Sequence, residues 1–102
     1  MVATLIVNIP PTIRLQPEGR SVSAGESVLF TVRASGTEPL AYQWQRNGVD
    51  LPGETRPSLV VSNLTLDDAG NYRAVISNPG GSIVSAYAYL SVSATADRKS
   101  VV

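Results

Sequence analysis

Apolar and polar residues alternate with a period of two through most of this chain, in short runs separated by Gly, Pro, Asn and Asp. That pattern predicts strands with one buried face. The clearest run is Val28 to Ala34, with Val28, Phe30, Val32 and Ala34 on one face and Thr31 and Arg33 on the other. Ile13 and Leu15 begin an earlier strand, which Pro17-Glu18-Gly19 breaks. Val22 resumes the edge before the turn Ala24-Gly25-Glu26. After the loop Ser35 to Pro39, Tyr42 and Trp44 alternate with Gln43 and Gln45. Asn47-Gly48 is a strong hairpin signal, and Leu51-Pro52-Gly53 ends the short strand after it. Leu59 and Val61 are expected to point inward, with Leu64 closing one end of the core. Tyr72, Ala74 and Ile76 alternate inward before the turn Asn78-Pro79-Gly80-Gly81. Val84, Ala86, Ala88, Leu90 and Val92 are expected to line the inner face of one last strand. Nothing in this order calls for a helix longer than one turn.

The stretch Asp67-Asp68-Ala69-Gly70-Asn71-Tyr72 reads as a corner between two of these strands. Short carboxylates accept hydrogen bonds from nearby backbone N–H groups, and glycine adopts angles that a side chain resists. Tyr72 can bury its ring while its hydroxyl reaches back to the corner. With Gly25-Glu26-x-Val28-x-Phe30-x-Val32, Trp44, Leu59, Asp68-x-Gly70-x-Tyr72-x-Ala74, Asn78 and Leu90-x-Val92, the chain resembles the intermediate-set immunoglobulin domain over about residues 10 to 93. The implied fold is all-β: an immunoglobulin-like Greek-key β-sandwich of about seven to eight antiparallel strands in two sheets. Its core signature is Val32, Trp44, Leu59, Asp68, Gly70, Tyr72 and Ala74. The interval 74 − 32 = 42 leaves no room for the extra hairpin of a variable-type domain.

The resemblance also marks a departure. In that family the positions held here by Val32 and Ala74 carry the disulfide between the sheets, and this chain has no cysteine. Closing a loop of that size contributes about 4 kcal/mol by loop-closure entropy. Packing must take its place, with buried aliphatic side chains giving roughly 1.5–3 kcal/mol each. Cysteine-free domains of this kind resemble those found in tandem in large bacterial surface and secreted proteins.

Composition narrows the chemistry. The 102 residues suit one small domain, and 43% hydrophobic content is enough for a core. Absence of His and Cys removes thiol nucleophiles, Ser–His dyads, imidazole proton shuttles and nearly all zinc sites. Eight basic and eight acidic residues balance to zero, which argues against a nucleic-acid partner. No apolar run approaches the roughly 20 residues of a membrane span, so membrane insertion is not expected. No cofactor is expected either.

Ala3-Thr4-Leu5-Ile6-Val7 repeats the Ala-x-Leu-x-Val of Ala88 to Val92 at an offset of 88 − 3 = 85, close to the length of one sandwich. Residues 1–9 are therefore expected to be the end of a preceding similar domain or a linker; the alternative is an early edge strand. Pro10-Pro11 is a stiff junction that cannot continue a sheet ladder. Residues 10–93 form the domain, and 94–102 a tail. If the leading segment is a stray strand, Leu5, Ile6 and Val7 can fold back or pair with a second molecule, giving a monomer or a weak dimer.

The expected role is a non-catalytic spacer in a multidomain secreted or cell-surface protein, with neighbouring immunoglobulin-like domains as partners. The alternative is a recognition or adhesion module. Tyr87 and Tyr89 leave the core face by alternation, with Arg73 and Val75 on the neighbouring strand and Gln43 and Gln45 beyond. Tyrosine and arginine are enriched at binding hot spots, so this outer face is the candidate surface for a protein or a glycan. Cross-strand stabilisation of a half-exposed sheet is the competing account. Asp68 either pairs with Arg56, as an acid at this corner often pairs with an arginine in the family, or bonds only backbone N–H groups. Asn63-Leu64-Thr65 fits a glycosylation sequon, but Leu64 is expected to be buried. Asp67-Asp68 lacks the further oxygen ligands of a calcium loop.

Overall fold

In the computed structural model, which describes residues 7–94, ten short strands run in order: β1 (Thr12–Leu15), β2 (Arg20–Ser23), β3 (Val28–Thr31), β4 (Arg33–Ser35), β5 (Ala41–Arg46), β6 (Val49–Asp50), β7 (Ser58–Val61), β8 (Gly70–Asn78), β9 (Gly81–Val84) and β10 (Ala88–Ser93). Two pairs among them, β3 with β4 and β9 with β10, are interrupted runs, so the ten reduce to 10 − 2 = 8. Most of the leading strand expected over residues 1–9 lies outside the described residues; Val7, Asn8 and Ile9 have no strand pairing. The tail beyond Ala94 also lies outside them.

The break at Pro17-Glu18-Gly19 lets the first run serve two sheets. β1 pairs antiparallel with β4, whereas β2 crosses over and pairs with β10. That second ladder is parallel, the exception in a sandwich whose other ladders are antiparallel. One layer is β1, then β4 and β3 as one continuous path, then β7. Val32 interrupts that path, but its N–H donates to Pro57 O at 3.0 Å and so extends the β3–β7 ladder. The other layer runs β2-β10-β8-β5-β6, with β9 on β8.

Between the layers lie Val28, Phe30, Val32, Trp44, Leu59, Leu64, Tyr72, Ala74, Ile76, Ala88 and Leu90, all buried. Phe30 stacks on Tyr72 at 5.0 Å between ring centroids and lies 6.3 Å from Trp44. Val32 and Ala74 are both fully buried, so packing occupies the positions where the family carries its disulfide. The indole N–H of Trp44 donates to Arg56 O at 2.8 Å, which meets its need for an acceptor away from water.

The last run departs from simple alternation. Val84 lies opposite Val75 (84 + 75 = 159), but Ala88 lies opposite Tyr72 (88 + 72 = 160), so one extra residue is inserted between β9 and β10. Such a bulge reverses which residues face inward. Val84 and Ala86 are therefore exposed rather than on the inner face, and Ile83 and Ser85 point inward in their place. Buried Ser85 makes the change tolerable: its hydroxyl accepts from Ala74 N–H at 2.9 Å and donates to Ala86 O at 3.0 Å.

The corner forms as a single 3-10 turn, Leu66–Asp68. Asp68 Oδ2 accepts from Thr65 N–H at 2.8 Å, and Tyr72 OH donates to Asp68 O at 2.6 Å. The cation beside Asp68 is Arg46, not Arg56, with Nη1 at 3.8 Å from Asp68 Oδ1. Arg46 lies opposite Tyr72 across the β5–β8 ladder, which carries its side chain to the corner, where it also donates to Asp67 O at 2.8 Å. Arg56 is held elsewhere, through its carbonyl, on Trp44. An exposed pair of this kind contributes at most about 1 kcal/mol.

Burial pushes the Tyr72 phenol above its ordinary value of 10.0, against the opposing pull of the Arg46 guanidinium. The folded state then keeps a proton that the unfolded chain releases. The resulting stability is fully present below the ordinary value of 10.0 and is lost as pH rises above it through the raised folded-state value. Tyr72→Phe removes the hydroxyl bond, and urea unfolding at pH 7 should report a loss of about 1 kcal/mol. The same variant should lose less stability than the parent between neutral pH and the tyrosine range, read from unfolding curves across that interval.

Candidate functional site

Two surfaces stand out once the strands are in register. The first is the outer face of the β6-β5-β8-β10 layer. Arg73 lies opposite Gln45, and Gln45 opposite Asp50. Arg73 Nε–H donates to Gln45 Oε1 at 2.9 Å, and Gln45 Nε2–H donates to Asp50 Oδ1 at 2.8 Å. On the other side the Arg73 guanidinium sits 4.8 Å from the centre of the Tyr87 ring. A row thus runs from Tyr87, just ahead of β10, across three strands: Arg73 on β8, Gln45 on β5 and Asp50 on β6. Tyr87 and Tyr89 are 49% and 57% exposed, so their rings are available to solvent.

The structure brings together most of the residues named from sequence. Val75 is half-buried between Gln43 and Val84. Gln43 shares the face, but its amide is committed to backbone, donating to Leu51 O at 2.7 Å and Trp44 O at 3.0 Å. Asp50 and Val84 belong to the face and were not expected there. Asp50 had a legible signal, because a two-residue Asn47-Gly48 turn sets Gln45 opposite residue 50. The turn has positive φ at both residues, 52° and 84°. Val84 had none, because the bulge that turns it outward depends on Ser85.

The second surface is a joint at the opposite end from the corner, where the chain arrives at β1. Ile9 N–H donates to Thr37 Oγ1 at 2.7 Å, and Thr37 N–H donates to Ile9 O at 3.1 Å. Asn78 Nδ2 donates to Ile9 O at 2.7 Å and to Thr37 O at 2.8 Å, while its Oδ1 accepts from Gly80 N–H at 2.8 Å. Gly80 must be glycine, since a Cβ there would meet the Ile9 and Pro10 backbone at 2.7 Å. Pro11, next along, is buried. The incoming backbone is therefore held by two loops, 36–39 and 78–81, at one end of the sandwich. This joint escaped notice in the sequence, where Asn78-Pro79-Gly80-Gly81 reads only as a turn.

Among the described residues no three His, Cys, Asp or Glu side chains come together to hold a metal. Asn63 is exposed at positive φ, 52°, with Leu64 buried beside it. No helix among the described residues is long and apolar enough to cross a membrane.

The pattern of the family described as "Immunoglobulin domain" matches residues 10–78. Endoglucanase C of Cellulomonas fimi is 35% identical over 86 residues, which is 80% of this chain and 8% of that protein. Contactin-2 of Homo sapiens is 39% identical over 77 residues, 67% of this chain and 7% of that protein. A three-immunoglobulin-domain structure of titin superposes with a TM-score of 0.77 at 30% identity, covering 84% of this chain and 33% of that one. This chain spans less than a tenth of either curated relative.

The Arg73–Tyr87 contact is measurable as a coupling. A double-mutant cycle with Arg73→Ala and Tyr87→Ala, read by urea unfolding, should return about 0.5–1 kcal/mol.

Proposed function

Because the chain belongs to the immunoglobulin domain family, we propose that it is a non-catalytic spacer module in a multidomain secreted or cell-surface protein. Its role is to hold neighbouring domains, similar to itself, at a set distance and direction. The observation that carries this reading is the joint: Asn78, Thr37 and Gly80 fix the backbone at Ile9 and Pro10. A tether that served only to connect would need no such fixing. Support also comes from the titin likeness, in which this chain corresponds to about one of three immunoglobulin domains in a row. On this reading residues 1–9 lead in from the preceding unit, and residues 10–93 form the module. The intermediate-set type and a bacterial source belong to the same proposal and rest on the sequence resemblance.

A second reading has an observation in its favour. Tyr87, against the Arg73 guanidinium, and Tyr89, opposite Asn71, present exposed aromatic surface beside a cation, a composition suited to recognition of a protein or a glycan. Under that reading Arg73, Val75, Tyr87 and Tyr89 form the contact surface, with Gln45 orienting Arg73.

The spacer reading is tested by joining a second immunoglobulin domain ahead of Ile9 and recording small-angle scattering. The parent pair should show one narrow end-to-end distance. Asn78→Ala, which removes three hydrogen bonds at about 0.5–1.5 kcal/mol each, should broaden it. A parent pair already as broad as the variant would refute the reading.

A further inference from the structure

The outer row carries two charges that no other charge among the described residues answers. Among the described residues the ion pair is Arg46–Asp68, so Arg73 and Asp50 each lack an oppositely charged partner. Gln45 between them is neutral. It orients both groups, accepting from one and donating to the other, without compensating either. Among the described residues only Nε of Arg73 is used, which leaves the two terminal nitrogens of its fork to bond elsewhere. Asp50 is exposed and has one oxygen taken.

Arg73 and Asp50 stand one strand to either side of Gln45, about 4.8 Å each way. A row with positive and negative ends equidistant from its centre is its own complement. Turned about a twofold axis that lies above Gln45, between the two sheets and parallel to the strands, Arg73 of one copy falls over Asp50 of the other, and the contact occurs twice. We propose that this face binds a second copy of the chain, outer face to outer face, through two reciprocal Arg73–Asp50 pairs.

The surroundings suit that occupant. Tyr87, beyond Arg73 and just ahead of β10, and Tyr89 on β10 reach past the short β6 edge of the second copy, so apolar surface is covered at the margin of the charged row. Val84, 47% exposed, and half-buried Val75 extend the apolar area along the strands. With 8 basic and 8 acidic residues, no net repulsion opposes association of like molecules. The proposal concerns the outer face alone and is independent of the joint at Ile9.

Sedimentation equilibrium of the 102-residue chain, up to millimolar concentration and at low and high salt, provides the test. The parent should self-associate, and more weakly as salt rises, because partly exposed pairs are screened. Arg73→Asp alone and Asp50→Arg alone each place like charges in contact and should weaken association about tenfold or more. Mixing these two variants puts opposite charges together at both contacts, so association should return as a heterodimer. The double variant Arg73→Asp with Asp50→Arg should also associate, which separates a lost contact from a lost fold. A parent that stays monomeric to millimolar overturns the proposal. So does association that survives both single reversals, including a dimer that disappears only when residues 1–8 are removed. Failure of the mixture and the double variant to recover, with both folded by circular dichroism, overturns it as well.

Discussion

Trp44 is fully buried between the sheets, and its indole N–H has to find an acceptor there. Much of the structure follows from how that need is met. The acceptor is Arg56 O, and the backbone of Trp44 is tied to the same segment through Glu54 O and Leu51 N. Residues 51–57 are thereby drawn against β5 as irregular chain. Pro57 then arrives beside Val32, where its carbonyl continues the β3–β7 ladder. Around the indole, Phe30 and Tyr72 complete an aromatic cluster that spans both layers. Val32 and Ala74 close the space by packing in a chain that has no cysteine to bridge it.

The two ends of the sandwich are secured differently, because the chain does different things there. At one end the corner turns the chain back into β8, and Tyr72 links it to the core by donating to Asp68 O. Gly70, at φ 153°, lies against the Asn47 side chain, where a Cβ would come within 2.9 Å of Oδ1. The corner and the β5–β6 hairpin are thus locked to each other. At the other end, Asn78 uses both ends of its amide to gather Ile9, Thr37 and Gly80. Backbone arriving from outside a sheet has no ladder to satisfy its polar groups, so side chains must do it. That is why the side chain of Asn78, at the end of β8, rather than a strand ladder, controls the joint.

On the outer face, contacts that hold a side chain in place also fix its orientation. The Tyr87–Arg73–Gln45 contacts hold a half-buried guanidinium in place. The same contacts orient it, so little of its rotamer freedom remains. Gln43 looks equivalent to Gln45 by alternation but is consumed in fixing the chain after β6. Two identical side chains two positions apart therefore have different roles, decided by which backbone lies next to each.

Alternation, the Asn47-Gly48 turn and the spacing of Trp44, Asp68, Gly70 and Tyr72 were enough to read the class of fold, most of the core and the outward position of both tyrosines. These are local properties: period two follows from the pleat, and the corner is built from neighbours in sequence. Features that depend on segments distant in sequence were settled only by folding. The bulge between β9 and β10 turns Val84 and Ala86 outward because Ser85 can satisfy Ala74 across the sheet. Arg46 rather than Arg56 stands at the corner because strand register, not sequence distance, sets which arginine reaches it. The joint binds residues 69 apart in sequence. The sequence alone determined which residues are buried wherever periodicity is unbroken. Only the tertiary structure decided which polar groups meet, because a hydrogen bond depends on where its partner is brought and not on the composition around it.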